Sequence, residues 1–158
     1  VKDATLKMVN DFHAAFDIDT PIVPLVQPSK PVMRELCDLA SMLQEVAHFA
    51  HKAAEANGKD VYLLRVQLMA EELAEVVEAM SSRDTANTLH ELADLRVVCD
   101  GTALSLGLGD LLVPAVAEIM RANMSKLGPD GKPIKNAAGR VVKGPNFKKA
   151  DVRPLLQK

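Results

Sequence analysis

Tryptophan is absent from this 158-residue chain, tyrosine occurs once, and aromatic residues make up only 3% of it. Sheet-built cores lean on aromatic and β-branched side chains. Here Leu, Ala, Val and Met supply most of the apolar content, and these favour packed helices, so an all-α fold is expected. Cysteine is almost as scarce. Cys37 and Cys99 both fall in helical patterns and lack metal-ligand spacing, which reads as two small buried hydrophobes and excludes a disulfide framework. No uncharged apolar run approaches the ~20 residues that span a bilayer. The opening residues, VKDATLKMV, carry no signal-peptide pattern, so a soluble, cytoplasmic protein is expected. The chain opens on Val1 and reads as trimmed. A GxxxxGK(S/T) loop is also missing, which argues against a P-loop NTPase. Internal repeats and low-complexity segments are absent.

The net charge of −2 conceals an asymmetry: residues 126–158 hold nine Lys/Arg against two acidic residues, leaving ten against nineteen elsewhere. A basic tail can serve nucleic acid, but this one has a single aromatic, Phe147, and is broken by Gly and Pro without a recognition motif, so a nucleic-acid partner is not expected. With 48% hydrophobic residues the chain can bury one core. One domain is expected, with an N-terminal helix and proline-rich arm over 1–31, a helical core over 32–126 and the basic tail over 127–158.

Leu6, Val9, Phe12 and Phe16 stripe a short amphipathic helix over residues 2–16. Pro21, Pro24, Pro28 and Pro31 then enforce an extended arm, with Pro31 suited to the start of a second helix that runs to about Asn57 and closes on Gly58. A third helix from about Asp60 to Ser81 and a fourth from about Thr85 to Leu106 form a hairpin, with Ser and Asp of SSRD between them as caps. Asp110 caps a fifth, to about Ser125, in which Pro114 is tolerated as a first-turn residue. Turn signals at Pro129-Asp130-Gly131 and at Asn136 to Gly139 predict a small hairpin or ordered loop.

The third helix carries MAEELAEVVEAM at 69–80, with Glu71, Glu72, Glu75 and Glu78 on two turns. Met69, Leu73, Val76 and Met80 cluster on its core side, and Glu72 lies at the edge of that cluster. A solvated acidic face would explain Glu71, Glu75 and Glu78 equally well. On the fourth helix, however, Leu92, Leu95, Val98, Cys99, Thr102 and Leu106 form a broad apolar arc with Glu91 inside it and Asp94 at its margin, and a charge inside an apolar arc needs a partner. In a hairpin turning near residues 82 and 83, Glu75 lies level with Glu91 and Glu72 with Asp94, to within about one 1.5 Å rise. Each pair is spaced i, i+3, and packed helices lie roughly 8–10 Å apart, so the four carboxylates can share one site. Neither helix offers a matching Lys or Arg, and a hard divalent cation, Mg²⁺ or Mn²⁺, would offset the charge.

EELAE at 71–75 and ELAD at 91–94, fifteen residues apart, resemble the EExxE…ExxD signature of the all-α nucleoside triphosphate pyrophosphohydrolases, the MazG-like superfamily. RANMSK at 121–126, DGKPI and VVKGPNFKKADV are similar to the ends of several such proteins, and FHAAF at 12–16 with its prolines resembles the start of single-domain, dUTPase-like members. The long helix over 32–57 has no firm counterpart. The resemblance implies a MazG-like bundle of about five helices with a C-terminal loop or short hairpin, and hydrolysis of a nucleoside triphosphate to monophosphate and pyrophosphate. It implies metal on Glu72, Glu75, Glu91 and Asp94. Glu71, about 100° round the helix from Glu72, is the candidate to orient or deprotonate the attacking water. Arg121, Asn123 and Lys126 are candidates for the triphosphate, with Lys143 and Lys148 closing over it. A basic helix end complementing the macrodipole would also explain Arg121 and Lys126. Phe12 and His13 read as a base pocket or, for Phe12, as plain core.

The expected substrate is a dNTP such as dUTP or a non-standard nucleotide, with phosphoribosyl-ATP ranked after them. Relatives pair bundles symmetrically, so a homodimer or dimer of dimers is expected. Two other classes stay open: a helical module that binds nucleotide or a partner without turnover, and a di-iron carboxylate bundle suggested by Glu45 and His48. The second needs two E-x-x-H motifs, and Asp94 stands where the second histidine should be.

Overall fold

A computed structural model describes residues 3–21, 24 and 34–157. The described residues form five α-helices: α1 (Ala4–Ala15), α2 (Arg34–Ala56), α3 (Val61–Ser82), α4 (Thr85–Ser105) and α5 (Gly109–Met124). A single 3₁₀ turn, Arg153–Leu156, follows in the tail. No strand forms among the described residues, and the expected all-α class and helix number hold. None of these helices alone is long and apolar enough to cross a membrane.

The chain divides into two compact units, residues 23–109 and residues 1–22 with 110–158. In the first, α3 packs against both α2 and α4. Local chemistry sets the helix ends. Asp60 accepts from the Leu63 amide at 3.0 Å and Asp84 from the Asn87 amide at 3.0 Å, each satisfying a donor that has no partner within the helix. Of the SSRD turn only the aspartate caps. Ser81 and Ser82 remain helical and bond back to Glu78 and Ala79 carbonyls. Arg83 takes the left-handed conformation that turns the hairpin. Helix α2 closes through Gly58 at φ +67°, which lets the Lys59 amide reach the Ala54 carbonyl at 2.8 Å.

The core of this unit departs from expectation. It is a seam of small side chains: Ala40, Ala47, Ala50 and Ala54 on α2, Ala70, Ala74, Val76 and Ala79 on α3, and Ala103 on α4 are buried. Larger residues assigned to the core from periodicity lie further out, with Leu73, Met80 and Leu92 exposed and Leu95, Val98, Thr102 and Leu106 half-buried. Methyl groups at the seam let helix backbones approach closely, and the bulky side chains are then displaced to the flanks. The cysteines follow the same pattern: Cys99 is exposed, and Cys37 is half-buried with its thiol 3.5 Å from Ser81 Oγ. Both are free, as expected.

In the second unit, Asp3 caps α1 through the Leu6 amide at 2.8 Å. Phe16 is fully buried, the largest such side chain among the described residues, its ring 4.4 Å from that of the half-buried Phe12. Helix α5 begins two residues earlier than an Asp110 cap implies, placing Asp110 in its first turn and Pro114 in its second. Pro114 therefore forfeits a bond to the Asp110 carbonyl, a position tolerated on an exposed face. The hairpin expected in the tail is reduced to two isolated bridges, Leu127 with Pro133 and Lys135 with Val141. Both bracket turns with glycine at φ +74°, Gly131 and Gly139. At Gly144 a Cβ would sit 2.8 Å from the Leu127 carbonyl oxygen and 2.9 Å from that of Lys126, so only glycine lets the tail lie against the end of α5. Pro21 and Pro24 stand outside any helix, as expected, while Pro28, Pro31 and the extended arm expected between them lie outside the described residues.

Candidate active site

The hairpin of α3 and α4 brings the carboxylates together. One oxygen each of Glu72, Glu75 and Glu91 lie within 4.8 Å of one another, and ligand atoms of His90, Glu91 and Asp94 do the same. Glu91 belongs to both groups and links them. Of the four carboxylates expected to share a site, three meet directly, and Asp94 joins through Glu91. The equal distance of Glu75 and Glu91 from the turn is the reason this pairing was legible: side chains level with each other on packed antiparallel helices face one another.

The electrostatics of the group follow from its geometry. Loss of water raises the Glu72 carboxyl above its ordinary 4.5, and repulsion from Asp94, Glu91 and Glu71 adds to this, with His90 acting in the opposite sense. Loss of water likewise raises Glu75, followed by repulsion from Glu72 and Glu91 and a hydrogen bond shared with Glu91. Carboxylates that hold protons in this way lack counter-charge. All the donors except His90 are oxygen, and an oxygen set fits a hard divalent cation of the Mg²⁺ or Mn²⁺ type.

His90 was missed as a partner. Its Nε2 lies 3.1 Å from Asp94 Oδ2, one helical turn away. The i, i+4 spacing of His90 and Asp94 was the available signal. His51 Nδ1 lies 3.1 Å from Gln67 Oε1, and Gln67 Nε2 donates to Glu71 Oε1 at 3.1 Å. That pairing depends on the register of α2 against α3, which periodicity within one helix does not encode. Glu71 is half-buried beside a cavity of about 330 Å³ lined by Gln44, Ala47, His48, His51 and Gln67. Glu45 and His48, the di-iron candidates, line different cavities, and neither joins a metal-ligating group among the described residues.

The candidate phosphate residues belong to the other unit. Lys126 Nζ donates to Asn123 Oδ1 at 2.8 Å, so these two are brought together at the end of α5. Arg121 is committed elsewhere: its guanidinium donates to both Glu118 oxygens, at 2.7 and 2.8 Å, and to the Lys149 carbonyl at 3.2 Å. The Arg121 bonds hold Glu118 down to about 2. Lys143 Nζ sits 4.7 Å above the Phe147 ring. The Lys148 backbone exchanges bonds with the Ser125 hydroxyl, at 2.9 and 3.3 Å. The half-buried His13 has its ring 6.2 Å from Phe12.

The raised carboxyls set a pH dependence. Glu72 and Glu75 bind a proton more tightly folded than unfolded, so from 4.5 up to their raised values the folded chain carries more protons and its stability falls as pH rises. Glu118 and Asp151, both lowered to about 2, act in a separate window: the stability they add is gained as pH rises from about 2 to their ordinary values. Metal-free protein is therefore expected to melt at progressively lower temperature as pH is raised above 4.5, and Glu75→Gln to flatten that slope. A melting temperature that climbs through the same range would contradict the arrangement.

An all-α fold around paired carboxylates on a helical hairpin defines the MazG-like class of nucleotide pyrophosphohydrolase. Residues 36–123, more than half of the chain, match the phosphoribosyl-ATP pyrophosphohydrolase family, and the chain belongs to it. It is a pyrophosphohydrolase. No curated protein matches the chain. Among solved structures it is similar to a "putative NTP pyrophosphohydrolase" from Exiguobacterium sp. 255-15, at 20% identity and a TM-score of 0.57, over 99% of this chain and 94% of that one. That likeness supports the fold.

Proposed function

We propose that the chain catalyses Mg²⁺-dependent hydrolysis of a nucleoside triphosphate, a dNTP such as dUTP or a non-standard nucleotide, to the monophosphate and pyrophosphate. The convergence of Glu72, Glu75 and Glu91 within 4.8 Å carries this reading. Glu72, Glu75, Glu91 and Asp94 would hold the metal, which when bound neutralises phosphate charge and acidifies water. Glu71 orients and deprotonates the attacking water, its carboxylate held by Gln67 beside the cluster. Lys126 and Asn123 grip the outer phosphates, and Lys143 and Lys148 assist. Arg121 enters this set only by leaving Glu118. A second reading, phosphoribosyl-ATP as substrate, is favoured by the family match over 36–123. We further propose that chains pair as a homodimer or dimer of dimers, through the exposed Leu39, Met42, Val46 and Phe49 of α2, and act in the cytoplasm.

Both substrate readings require the same bond to break. Attack at the α-phosphorus in ¹⁸O-water is expected to label the nucleoside monophosphate and leave the pyrophosphate unlabelled. Label found wholly in pyrophosphate would place the attack at the β-phosphorus and remove the role given to Glu71. A panel of dNTPs, ATP and phosphoribosyl-ATP assayed with Mg²⁺ separates the two substrates.

A further inference from the structure

We propose that Gln67 and His51 form a positioning relay that holds the Glu71 carboxylate for its reaction. The inference rests on the reading of Glu71 as the residue that handles the attacking water.

The polarity of the relay follows from its donors and acceptors. An ionised carboxylate only accepts, so the Gln67 amide must turn its NH₂ toward Glu71, where Nε2 lies 3.1 Å from Oε1. Its carbonyl oxygen is then directed at His51, 3.1 Å from Nδ1, and that nitrogen must carry a proton. His51 is thereby held as the Nδ1–H tautomer, with Nε2 left as the acceptor of the neutral ring. A glutamate side chain has several rotamers to lose. One fixed donor on Oε1 selects among them and leaves Oε2 for a water. The anchor comes from a different helix: His51 is on α2, while Gln67 and Glu71 lie one turn apart on α3. All three side chains line the same cavity of about 330 Å³, so the relay faces open space and not a packed seam. An ordinary Gln–Glu pair one turn apart would add only a small increment to helix stability and would leave turnover alone. The bond to α2 is what turns it into a device for orientation.

The full chain can be tested with Gln67→Met, which keeps length and removes both hydrogen bonds, and with His51→Phe against His51→Asn, whose amide nitrogen stands in for Nδ1. With Mg²⁺ and the best substrate of the panel above, Gln67→Met is expected to lower kcat about tenfold, within the range for orienting partners, at unchanged KM and Mn²⁺ affinity. His51→Phe should fall in the same direction and His51→Asn should recover. In a Glu71→Gln background, Gln67→Met should cost nothing further. Imidazole ¹⁵N shifts of metal-free protein should report the Nδ1–H tautomer at His51 and its loss in Gln67→Met. If Glu71→Gln is inactive while Gln67→Met and His51→Phe turn over like wild type, the relay is wrong and the reading of Glu71 stands. If Glu71→Gln keeps full activity, or no nucleotide of the panel releases pyrophosphate, that reading fails and the relay with it. Equal losses from Gln67→Met with and without Glu71 would also overturn the relay.

Discussion

A chain carrying Glu91→Gln is expected to lose divalent-metal binding and pyrophosphate release together, by at least about 100-fold, while melting at the same temperature or higher. Glu91 is the carboxylate common to both ligand groups, with Glu72 and Glu75 on one side and His90 and Asp94 on the other. An amide of the same size keeps the packing and one weak oxygen donor but removes a charge, so the cation loses its central ligand. Stability responds in the opposite sense, because repulsion from Glu91 contributes to the raised carboxyls of Glu72 and Glu75. A Mn²⁺ titration, a pyrophosphate assay and a melting curve on one preparation measure all three effects. Full activity in Glu91→Gln would end the shared-cluster account. Loss of activity with a lower melting temperature would point to a damaged fold instead. Asp94→Asn should be milder for metal binding, since Asp94 belongs to one of the two ligand groups and Glu91 to both, although Asp94 also repels Glu72 directly.

What could be read before the structure was local or symmetric about a turn. Asp60 and Asp84 cap their helices through amides three residues on, and such bonds depend on sequence spacing alone. The carboxylate pairs were legible because a short turn fixes the register of α3 against α4, so counting outward from residues 82 and 83 gives the facing positions. The α2–α3 register has no such origin, and the His51–Gln67–Glu71 chain was invisible for that reason. Periodicity also misjudged depth. It marked Leu73, Met80 and Leu92 as core because they are large and apolar, whereas the buried positions are mostly alanines that a hydrophobic pattern weights lightly. Arg121 shows the same limit at the candidate phosphate residues: its position at a helix end was legible, its commitment to Glu118 and the Lys149 carbonyl was not.

The displaced side chains lead to the second large effect. Leu39, Met42, Val46 and Phe49 recur at intervals of three and four along α2, and all are exposed, Phe49 by 74%. With Leu43, Leu73 and Val77 they wall an open apolar groove of about 570 Å³, whose one charged lining residue among the described residues is Glu45. Burying a side chain such as Phe or Val contributes about 1.5–3 kcal/mol, so a stripe of four left in water represents a substantial driving force for association. A helix can meet its own copy about a two-fold axis, Leu39 of one chain against Phe49 of the other, which makes the stripe self-complementary. Val46→Asp with Phe49→Asp is expected to convert an assembled protein to monomer in sedimentation at micromolar concentration. Two buried carboxylates on each side would repel across the axis, and the apolar gain would be lost. Helix content should not change, because neither residue belongs to the alanine seam that joins α2 to α3. A wild-type chain that already sediments as a monomer at that concentration, or a variant that stays assembled, would show that the stripe does not join copies of this chain.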